Sequence, residues 1–260
     1  MSLDKFKLKT VAMLFVILIL LVIGYRYAFI SVSSTIVYIF PYSWERQIGK
    51  ATFDVLDKTL LEPSKLPSQK IDSITKGAQK ILNQADLPFK PEIKFMNSEI
   101  IGANALALPG GPIILTDDLV KLLKDDSMII SVIAHEMAHV KERHSLQQIV
   151  EVVGLSSLAW LIFGLDEGVL EEIALVGVNI WSLKKSRNFE KDSDIIALEL
   201  LDNAGLNKKS FVEAIEKLTN HFCLKSKLEK AVCLQDIKNG WLSTHPSGAE
   251  RLKYLQEQID

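Results

Sequence analysis

Apolar residues recur at helical spacing along most of the chain, which predicts a mainly helical protein. Residues 41–61, PYSWERQIGKATFDVLDKTLL, predict an amphipathic helix with Pro41 near its start. Residues 71–87, IDSITKGAQKILNQADL, predict a second amphipathic helix. The stretch between them, EPSKLPSQK, contains two prolines and two serines and is typical of a loop.

A short β region follows these two helices. Residues 91–97, PEIKFMN, and residues 103–109, ANALALP, show the two-residue alternation of strands. Residues 111–116, GPIILT, form an apolar run of the kind found in buried strands, bounded by Pro-Gly-Gly. The pattern predicts a small β meander rather than a large sheet, and with the helices it predicts an α+β fold class.

Helical spacing resumes after the strands. Thr116 or Asp117 can cap the helix DDLVKLLK, and residues 127–153, SMIISVIAHEMAHVKERHSLQQIVEVV, predict one long helix with an apolar first half. The remaining predicted helices are residues 184–205, 207–222 and 247–258. Two shorter apolar runs, residues 152–165 and 173–183, favour core or interfacial helices over membrane hairpins, because each is too short to span a bilayer comfortably.

The N-terminus carries a different signal. An uncharged apolar run from Val11 to Tyr25 follows three lysines and precedes Arg26. A bilayer span needs about 20 apolar residues, yet no small-residue cleavage site follows the run, which favours an uncleaved membrane helix over a signal peptide. We therefore expect residues 1–30 to form a cytoplasmic stub and a transmembrane anchor. Residues 31–260 would then form the main domain on the other side of the membrane.

Charge excludes one large class of function. The chain has 30 Lys+Arg against 32 Asp+Glu, a formal net charge of -2, and no basic arm. Nucleic acid is therefore not an expected partner. The two cysteines, Cys223 and Cys233, lack metal-site spacing. A disulfide between them would need a turn in the intervening residues, so both a disulfide and two thiols stay open.

The strongest chemical signal is His135-Glu136-x-x-His139 within the long predicted helix. Two histidines four residues apart lie about 40° apart around a helix, so both imidazoles can reach one ion. A glutamate beside the first histidine matches the general base of a zinc peptidase. The alternative is a solvated surface pair, which the neighbouring apolar residues disfavour because buried histidines need partners.

A third metal-binding side chain must come from elsewhere in the chain. His144 lies about 140° from His139 on a continuous helix, so it is interpreted as structural or as a surface residue. The stretch SRNFEKDSD offers Glu190 and Asp194 at i and i+4 on one helix face. One carboxylate could complete a two-histidine zinc site while the other orients a ligand imidazole, although such a pair alone is usually solvated surface.

Four stretches carry a resemblance to a known family: NALALPGGPIILTDDLV, HEMAHVKERH, SRNFEKDSD and HPSGAERL. They resemble the membrane-linked zinc metallopeptidases of the HtpX and CAAX prenyl endopeptidase type, above all the single-domain periplasmic or mitochondrial quality-control members. The resemblance covers roughly residues 40 to 255. It implies a zincin fold of the gluzincin type, with one zinc ion per chain held by His135, His139 and Glu190. Glu136 would be the base and Asp194 would hold a ligand imidazole.

The same resemblance implies roles for five further residues. Backbone groups around Asn104 and Ala105 would pair with an extended substrate along an edge strand, although alternation alone predicts an ordinary strand. His245 would either stabilise an oxyanion or block the metal in a resting state, or it simply begins a helix. Arg251 would pair with a nearby carboxylate, and Arg187 would support the site structurally.

The resemblance implies a membrane-anchored zinc endopeptidase that cleaves unfolded or misassembled membrane or envelope proteins. The catalytic domain would face the periplasm or lie at the mitochondrial inner membrane. Integral members of the family carry full membrane spans between the two zinc-binding helices, where this chain has only two short apolar runs, so a prenyl-protein substrate is disfavoured. Two alternatives are a non-catalytic zinc-containing chaperone at the membrane surface and an enzyme kept latent by His245 or by residues 152–183.

Overall fold

The structure is a computed structural model that describes residues 10, 11, 13–21, 24, 35–153, 168, 174–177, 185–226, 241–245 and 249–259. The chain divides into two compact units, Met1–Phe40 and Pro41–Asp260. The boundary expected between residues 30 and 31 lies outside the described residues, as do the side chains of both cysteines. Most of the two apolar runs at 152–165 and 173–183 also lies outside them.

In the first unit, the described residues between 10 and 24 are helical, and their apolar side chains are largely exposed. Phe15, for example, is 62% exposed and Leu21 is 65% exposed. Residues 35–39 form a further short helical segment. Within the part of the chain that the structure describes, none of the helices combines the length and the apolar character that crossing a bilayer requires.

The second unit contains one four-stranded sheet in the order β1-β2-β4-β3. Its strands are β1 (Glu62–Pro63), β2 (Ile93–Asn97), β3 (Ala105–Ala107) and β4 (Ile113–Thr116). β2 and β4 run parallel, whereas β1 pairs with β2 and β3 pairs with β4 in antiparallel fashion.

The expected small sheet is confirmed, but the expected meander is wrong, because β4 is inserted between β2 and β3. Every residue of β4 is buried. β4 thus pairs with β2 on one side and with β3 on the other, and β3 lies at the edge of the sheet although all its residues are also buried.

Eight helices with defined bounds accompany the sheet among the described residues of this unit. They are α1 (Tyr42–Thr59), α2 (Ser68–Leu82), α3 (Asp117–Leu123), α4 (Asp126–Lys141), α5 (Arg187–Asn203), α6 (Lys209–Ser226), α7 (Trp241–Thr244) and α8 (Ala249–Ile259). The mainly helical character expected from the apolar spacing is confirmed.

Helix α4 is the centre of the unit. All twelve residues from Ile129 to Val140 are buried, and the helix packs against α2, α5, α6 and β3. Its start is fixed by Asp125, whose carboxylate accepts hydrogen bonds from the backbone N–H groups of Ser127 and Met128. A helix buried on all sides cannot easily rotate or shift, so the polar residues that it carries are held rigidly.

The long helix expected over residues 127–153 is wrong, because α4 ends at Lys141 and a second helical stretch covers residues 144–153. Arg143 lies between them with a φ of 58°, a left-handed conformation that is uncommon for residues other than glycine. The buried carboxylate of Glu45 holds the Arg143 guanidinium at 2.6 and 2.7 Å, and the ring of Tyr42 lies 4.4 Å from the guanidinium carbon. These contacts compensate for the backbone conformation and turn His144 in a direction that a continuous helix would not allow.

Helix α5 lies directly against α4. Ser186 caps its start by accepting a hydrogen bond from the backbone N–H of Phe189 at 3.1 Å. The buried face of α5 carries Glu190, Ser193 and Asp194 in its first two turns, ahead of an apolar stripe. The packing of these two helices therefore brings the polar residues of α5 next to the histidines of α4.

Candidate metal centre

Four buried side chains converge between α4, α5 and the residue that follows α7. They are His135, His139, Glu190 and His245, and one nitrogen or oxygen from each lies within 4.8 Å of those from the others. The Nε2 atoms of His135 and His139 are 3.1 Å apart. Nδ1 of His245 lies 3.1 Å from Nε2 of His135 and 3.0 Å from Oε1 of Glu190. This group could hold a metal ion, and we refer to these four side chains as the metal-binding group.

The charge states of His139, His245 and Glu190 suit a bound cation. Burial lowers the pKa of His139 well below its usual value and lowers the pKa of His245 to about 4. Both imidazoles are therefore neutral near pH 7 and keep a free lone pair. Burial alone would raise the pKa of Glu190, but His245 and Arg251 hold it well below its usual value. The group thus offers neutral imidazoles from His139 and His245 and a carboxylate from Glu190.

Asp194 and Arg251 support the group from behind. Oδ1 of Asp194 lies 3.0 Å from Nδ1 of His135, the ring nitrogen that points away from the other three side chains. Arg251 donates from Nε and Nη2 to the two oxygens of Asp194 at 2.7 and 2.6 Å, and Tyr254 donates its hydroxyl to the same carboxylate. Nη1 of Arg251 also lies 2.8 Å from Oε2 of Glu190. Arg251 therefore lies between two buried carboxylates.

Glu136 lies beside the four side chains and is fully buried. Its Oε1 atom is 3.2 Å from Nε2 of His245, and it accepts a hydrogen bond from Nε1 of Trp241 at 3.3 Å. The Glu136 carboxylate thus faces the nitrogen of His245 that is turned away from His135 and Glu190. A carboxylate in this position could exchange protons with a molecule bound at the metal-binding group.

The amino-acid sequence identifies the family to which this site belongs. Residues 68–259, well over half of the chain, match the sequence model of peptidase family M48. The chain belongs to peptidase family M48. The metallopeptidase family expected from the four sequence stretches is confirmed.

Individual relatives include proteins with protease names. The chain is 25% identical over 172 residues to the mitochondrial metalloendopeptidase OMA1 of Saccharomyces cerevisiae, covering 65% of this chain and 47% of that protein. It is 24% identical over 205 residues to the Escherichia coli beta-barrel assembly-enhancing protease, covering 74% and 41% respectively. It is 25% identical over 231 residues to the Helicobacter pylori protease HtpX homolog, covering 77% and 71%. The chain thus spans about half or less of the OMA1 relatives that it matches.

In this member of family M48, Trp241 packs against the metal-binding group, a contact that the sequence did not predict. Trp241 is fully buried, and its ring stacks on that of His245 with centroids 4.6 Å apart and planes 10° apart. Its backbone N–H donates to the carbonyl of Ala103 at 3.0 Å. Lys185 was also missed: this buried side chain places Nζ 3.4 Å from Nε2 of His245. Neither residue belongs to a recognisable motif, because each reaches the site only through tertiary packing.

The edge strand expected near the site is β3, but its backbone is oriented differently from the expectation at Asn104. The carbonyl of Asn104 accepts a hydrogen bond from the Thr116 N–H at 3.0 Å, so its peptide groups face β4. Backbone N–H and C=O groups alternate in direction along a strand, so those of Ala105 and Ala107 point away from β4. The Ala105 N–H donates to Oδ1 of Asn104, and the Ala107 carbonyl accepts from the hydroxyl of Ser145. The outward groups are thus partly occupied by the protein itself.

The structure places two further residues named in the sequence analysis. Arg187 is exposed at the first residue of α5. His144, interpreted as structural or as a surface residue, is buried, with 4% exposure, because the break at Arg143 turns it inward. It is not one of the four converging side chains, but it contacts His139 from behind.

Proposed function

We propose that the chain is a zinc-dependent endopeptidase in which His135, His139 and Glu190 hold the ion and Glu136 is the general base. The observation that carries the proposal is the buried meeting of His135, His139, Glu190 and His245 beside Glu136. Bound zinc would supply Lewis-acid chemistry, polarising a peptide carbonyl and making water easier to deprotonate. The Glu136 carboxylate would take the proton from that water and pass it to the departing amine.

The donor atoms fit zinc in both type and spacing. Imidazole nitrogen and carboxylate oxygen bind zinc at about 2.0–2.2 Å, so tetrahedral geometry separates neighbouring donor atoms by about 3.3–3.6 Å. The contacts among the four side chains range from 3.0 to 3.7 Å. Asp194 beside Nδ1 of His135 leaves Nε2 of that ring free to bind, which is the usual carboxylate–histidine arrangement at zinc sites.

Metal removal tests this proposal. The full chain is expected to contain one zinc and to cleave an unfolded protein such as casein. Treatment with a strong chelator should abolish cleavage, and stoichiometric zinc should restore it, because only the ion supplies the electrophile. Zinc content by atomic emission and cleavage by gel densitometry provide the two measurements. Undiminished cleavage in protein shown to be free of metal would rule out the proposal.

The contact of His245 with the other three side chains supports a latent form of the enzyme. Structural zinc sites have four protein donors, whereas catalytic ones keep the fourth position for water or substrate. Here His245 offers the fourth donor, and Trp241 lies stacked against it. We propose that His245 must withdraw before Glu136 can act on a substrate.

The His245→Ala variant separates this role from an oxyanion-stabilising role. If His245 blocks the ion, the variant should keep one zinc and cleave casein several-fold faster, because the fourth position opens. An oxyanion donor would behave in the opposite way, and its loss typically slows cleavage by about 10²–10³-fold. Initial cleavage rates at matched zinc content decide between the two roles. Loss of zinc from the variant would instead make His245 a required ligand.

We further propose that the chain acts at a membrane on unfolded or misassembled proteins. Two observations support this proposal. The first unit carries a run of exposed apolar side chains, such as Phe15 and Leu21. The similar proteins include a mitochondrial metalloendopeptidase and a beta-barrel assembly-enhancing protease. The full chain should remain with lipid vesicles during an alkaline carbonate wash. Its quantitative release by that wash would contradict membrane anchoring.

A further inference from the structure

The imidazole of His139 has a second contact region on the side away from the metal-binding group. Its Nδ1 atom lies 2.9 Å from Nδ1 of His144 and 3.0 Å from the hydroxyl oxygen of Ser193. That hydroxyl is in turn 3.2 Å from Nδ1 of His144. The three polar atoms form a closed triangle, and all three side chains are buried.

We infer that His144 and Ser193 together orient His139 for metal binding, as Asp194 does for His135; this inference rests on the zinc site proposed above. A neutral imidazole carries one proton, and the nitrogen that binds a metal must be the unprotonated one. If Nε2 of His139 binds the ion, its Nδ1 carries the proton and needs an acceptor. Nδ1 of His144 and the hydroxyl of Ser193 are the two acceptors within reach.

The hydrogen-bond inventory of the triangle is consistent with this role. Nδ1 of His139 supplies one hydrogen, the Ser193 hydroxyl supplies another, and Nδ1 of His144 supplies a lone pair when its proton is on Nε2. The hydroxyl can accept from His139 and donate to His144, so no polar atom of the triangle is left unmatched. The reverse arrangement, in which Nδ1 of His144 donates to the hydroxyl and the hydroxyl donates to Nδ1 of His139, would put the His139 proton on Nε2. A metal ion on Nε2 of His139 would therefore select the first arrangement.

The position of His144 is fixed from two sides. The left-handed turn at Arg143, held by Glu45, brings His144 back towards α4 instead of about 140° around a continuous helix. The ring of Phe189 stacks on the other side, with centroids 4.1 Å apart and planes 17° apart. A histidine clamped in this way presents its Nδ1 to His139 with little freedom to turn away.

The Nδ1 atoms of the two metal-binding histidines would therefore contact partners of different charge. His135 has a charged carboxylate behind it, whereas His139 has two uncharged partners. A carboxylate partner makes an imidazole more basic and a stronger ligand than an uncharged partner does. The uncharged partners would hold the tautomer and direction of His139 without adding further negative charge to a site that already contains Glu190, Asp194 and Glu136.

Zinc affinity of the full chain, measured by competition with a chromophoric chelator, tests the inference without relying on activity. His144→Phe keeps the ring and its stacking on Phe189 but removes both nitrogens, and it should weaken zinc binding about 10–100-fold. His144→Asn places an oxygen near the position of Nδ1 and should restore most of that affinity. Ser193→Ala removes the other acceptor and should also weaken zinc binding. His221→Phe, on α6 and outside the group, provides the matched control and should bind zinc as the unaltered chain does.

The possible outcomes separate this inference from the proposed function. An unaltered chain that binds no zinc defeats the zinc site itself. An unaltered chain that binds zinc, together with a His144→Phe variant of equal affinity, defeats only the positioning role. Equal losses in His144→Phe and His144→Asn would show that an acceptor at this position does not support zinc binding, and would also overturn the inference. Thermal unfolding of the zinc-free variants identifies any that fail to fold, and Ser193→Ala then supplies an independent test.

Discussion

The Glu136→Gln variant is expected to cleave casein at least about 10²-fold more slowly than the unaltered chain while still binding one zinc. General acid–base groups typically contribute about 10²–10⁴-fold to rate, and an amide cannot take a proton from water at neutral pH. Glutamine keeps the shape of glutamate and an oxygen that can accept the Trp241 indole N–H, so the fold and the metal-binding group should persist. Zinc content and initial cleavage rates of the two proteins should be measured side by side.

The chain offers a matched control for this substitution. Glu142 is exposed just beyond the end of α4, and Glu142→Gln makes the same chemical change away from the metal-binding group. Its cleavage rate should equal that of the unaltered chain. Equal cleavage by Glu136→Gln would remove Glu136 from the mechanism. If neither protein cleaved although both bound zinc, and His245→Ala did not cleave either, the chaperone alternative would replace the proposed enzyme.

The Arg251→Met variant is expected to lower the free energy of unfolding of the zinc-free protein by about 3–5 kcal/mol, the usual cost of removing one partner from a buried ion pair. Arg251 is 5% exposed and contacts both Asp194 and Glu190, so its loss leaves two buried carboxylates without their cation. Methionine retains much of the aliphatic bulk, which limits the effect of an empty cavity. Urea unfolding monitored by circular dichroism provides the measurement.

Neutral pH is the right condition for that comparison. Burial would raise the pKa of Asp194, but Arg251 and His135 hold it below its usual value. A carboxylate with a lowered pKa in the folded state contributes stability above its unfolded pKa of about 3.9 and loses that contribution as the pH falls through the folded value. The whole contribution is therefore present at pH 7.

Two further variants qualify the result for Arg251. Arg251→Lys keeps the charge but cannot make the two-pronged contact with Asp194, so it should fall between Met and the unaltered chain. Lys253→Met lies on the same helix with a largely exposed side chain and should change the free energy of unfolding by no more than about 0.5 kcal/mol. An Arg251→Met variant as stable as Lys253→Met would show that the buried ion pairs do not stabilise the fold.

The sequence predicted those parts of the site that depend on local periodicity. His135 and His139, and likewise Glu190 and Asp194, are four residues apart, and helical geometry alone puts each pair on one face. Only the family resemblance predicted that these two helices meet, and the structure brings α4 and α5 into contact. His245 could not be assigned from spacing, because only the packing of α7 against α6 carries it to the other side chains.

The features that the sequence missed are long-range. The left-handed turn at Arg143 depends on Glu45, nearly a hundred positions earlier in the chain. The apolar periodicity therefore predicted a continuous helix through residue 153, with His144 facing away from His139. The parallel pairing of β2 with β4 is also long-range, because alternation within one strand does not determine which strands become neighbours. Trp241 reaches Glu136 across 105 positions and lies in no pattern.

Anomalous diffraction at the zinc absorption edge, from crystals of the purified full chain grown with zinc, tests the central claim most directly. The account predicts a single strong peak at about 2.0–2.2 Å from Nε2 of His135, Nε2 of His139 and one carboxylate oxygen of Glu190. A peak that lacks His135 or His139 as a ligand, or a Glu190 carboxylate outside bonding distance of the ion, would contradict it. Additional binding by His245 is what the latent form predicts.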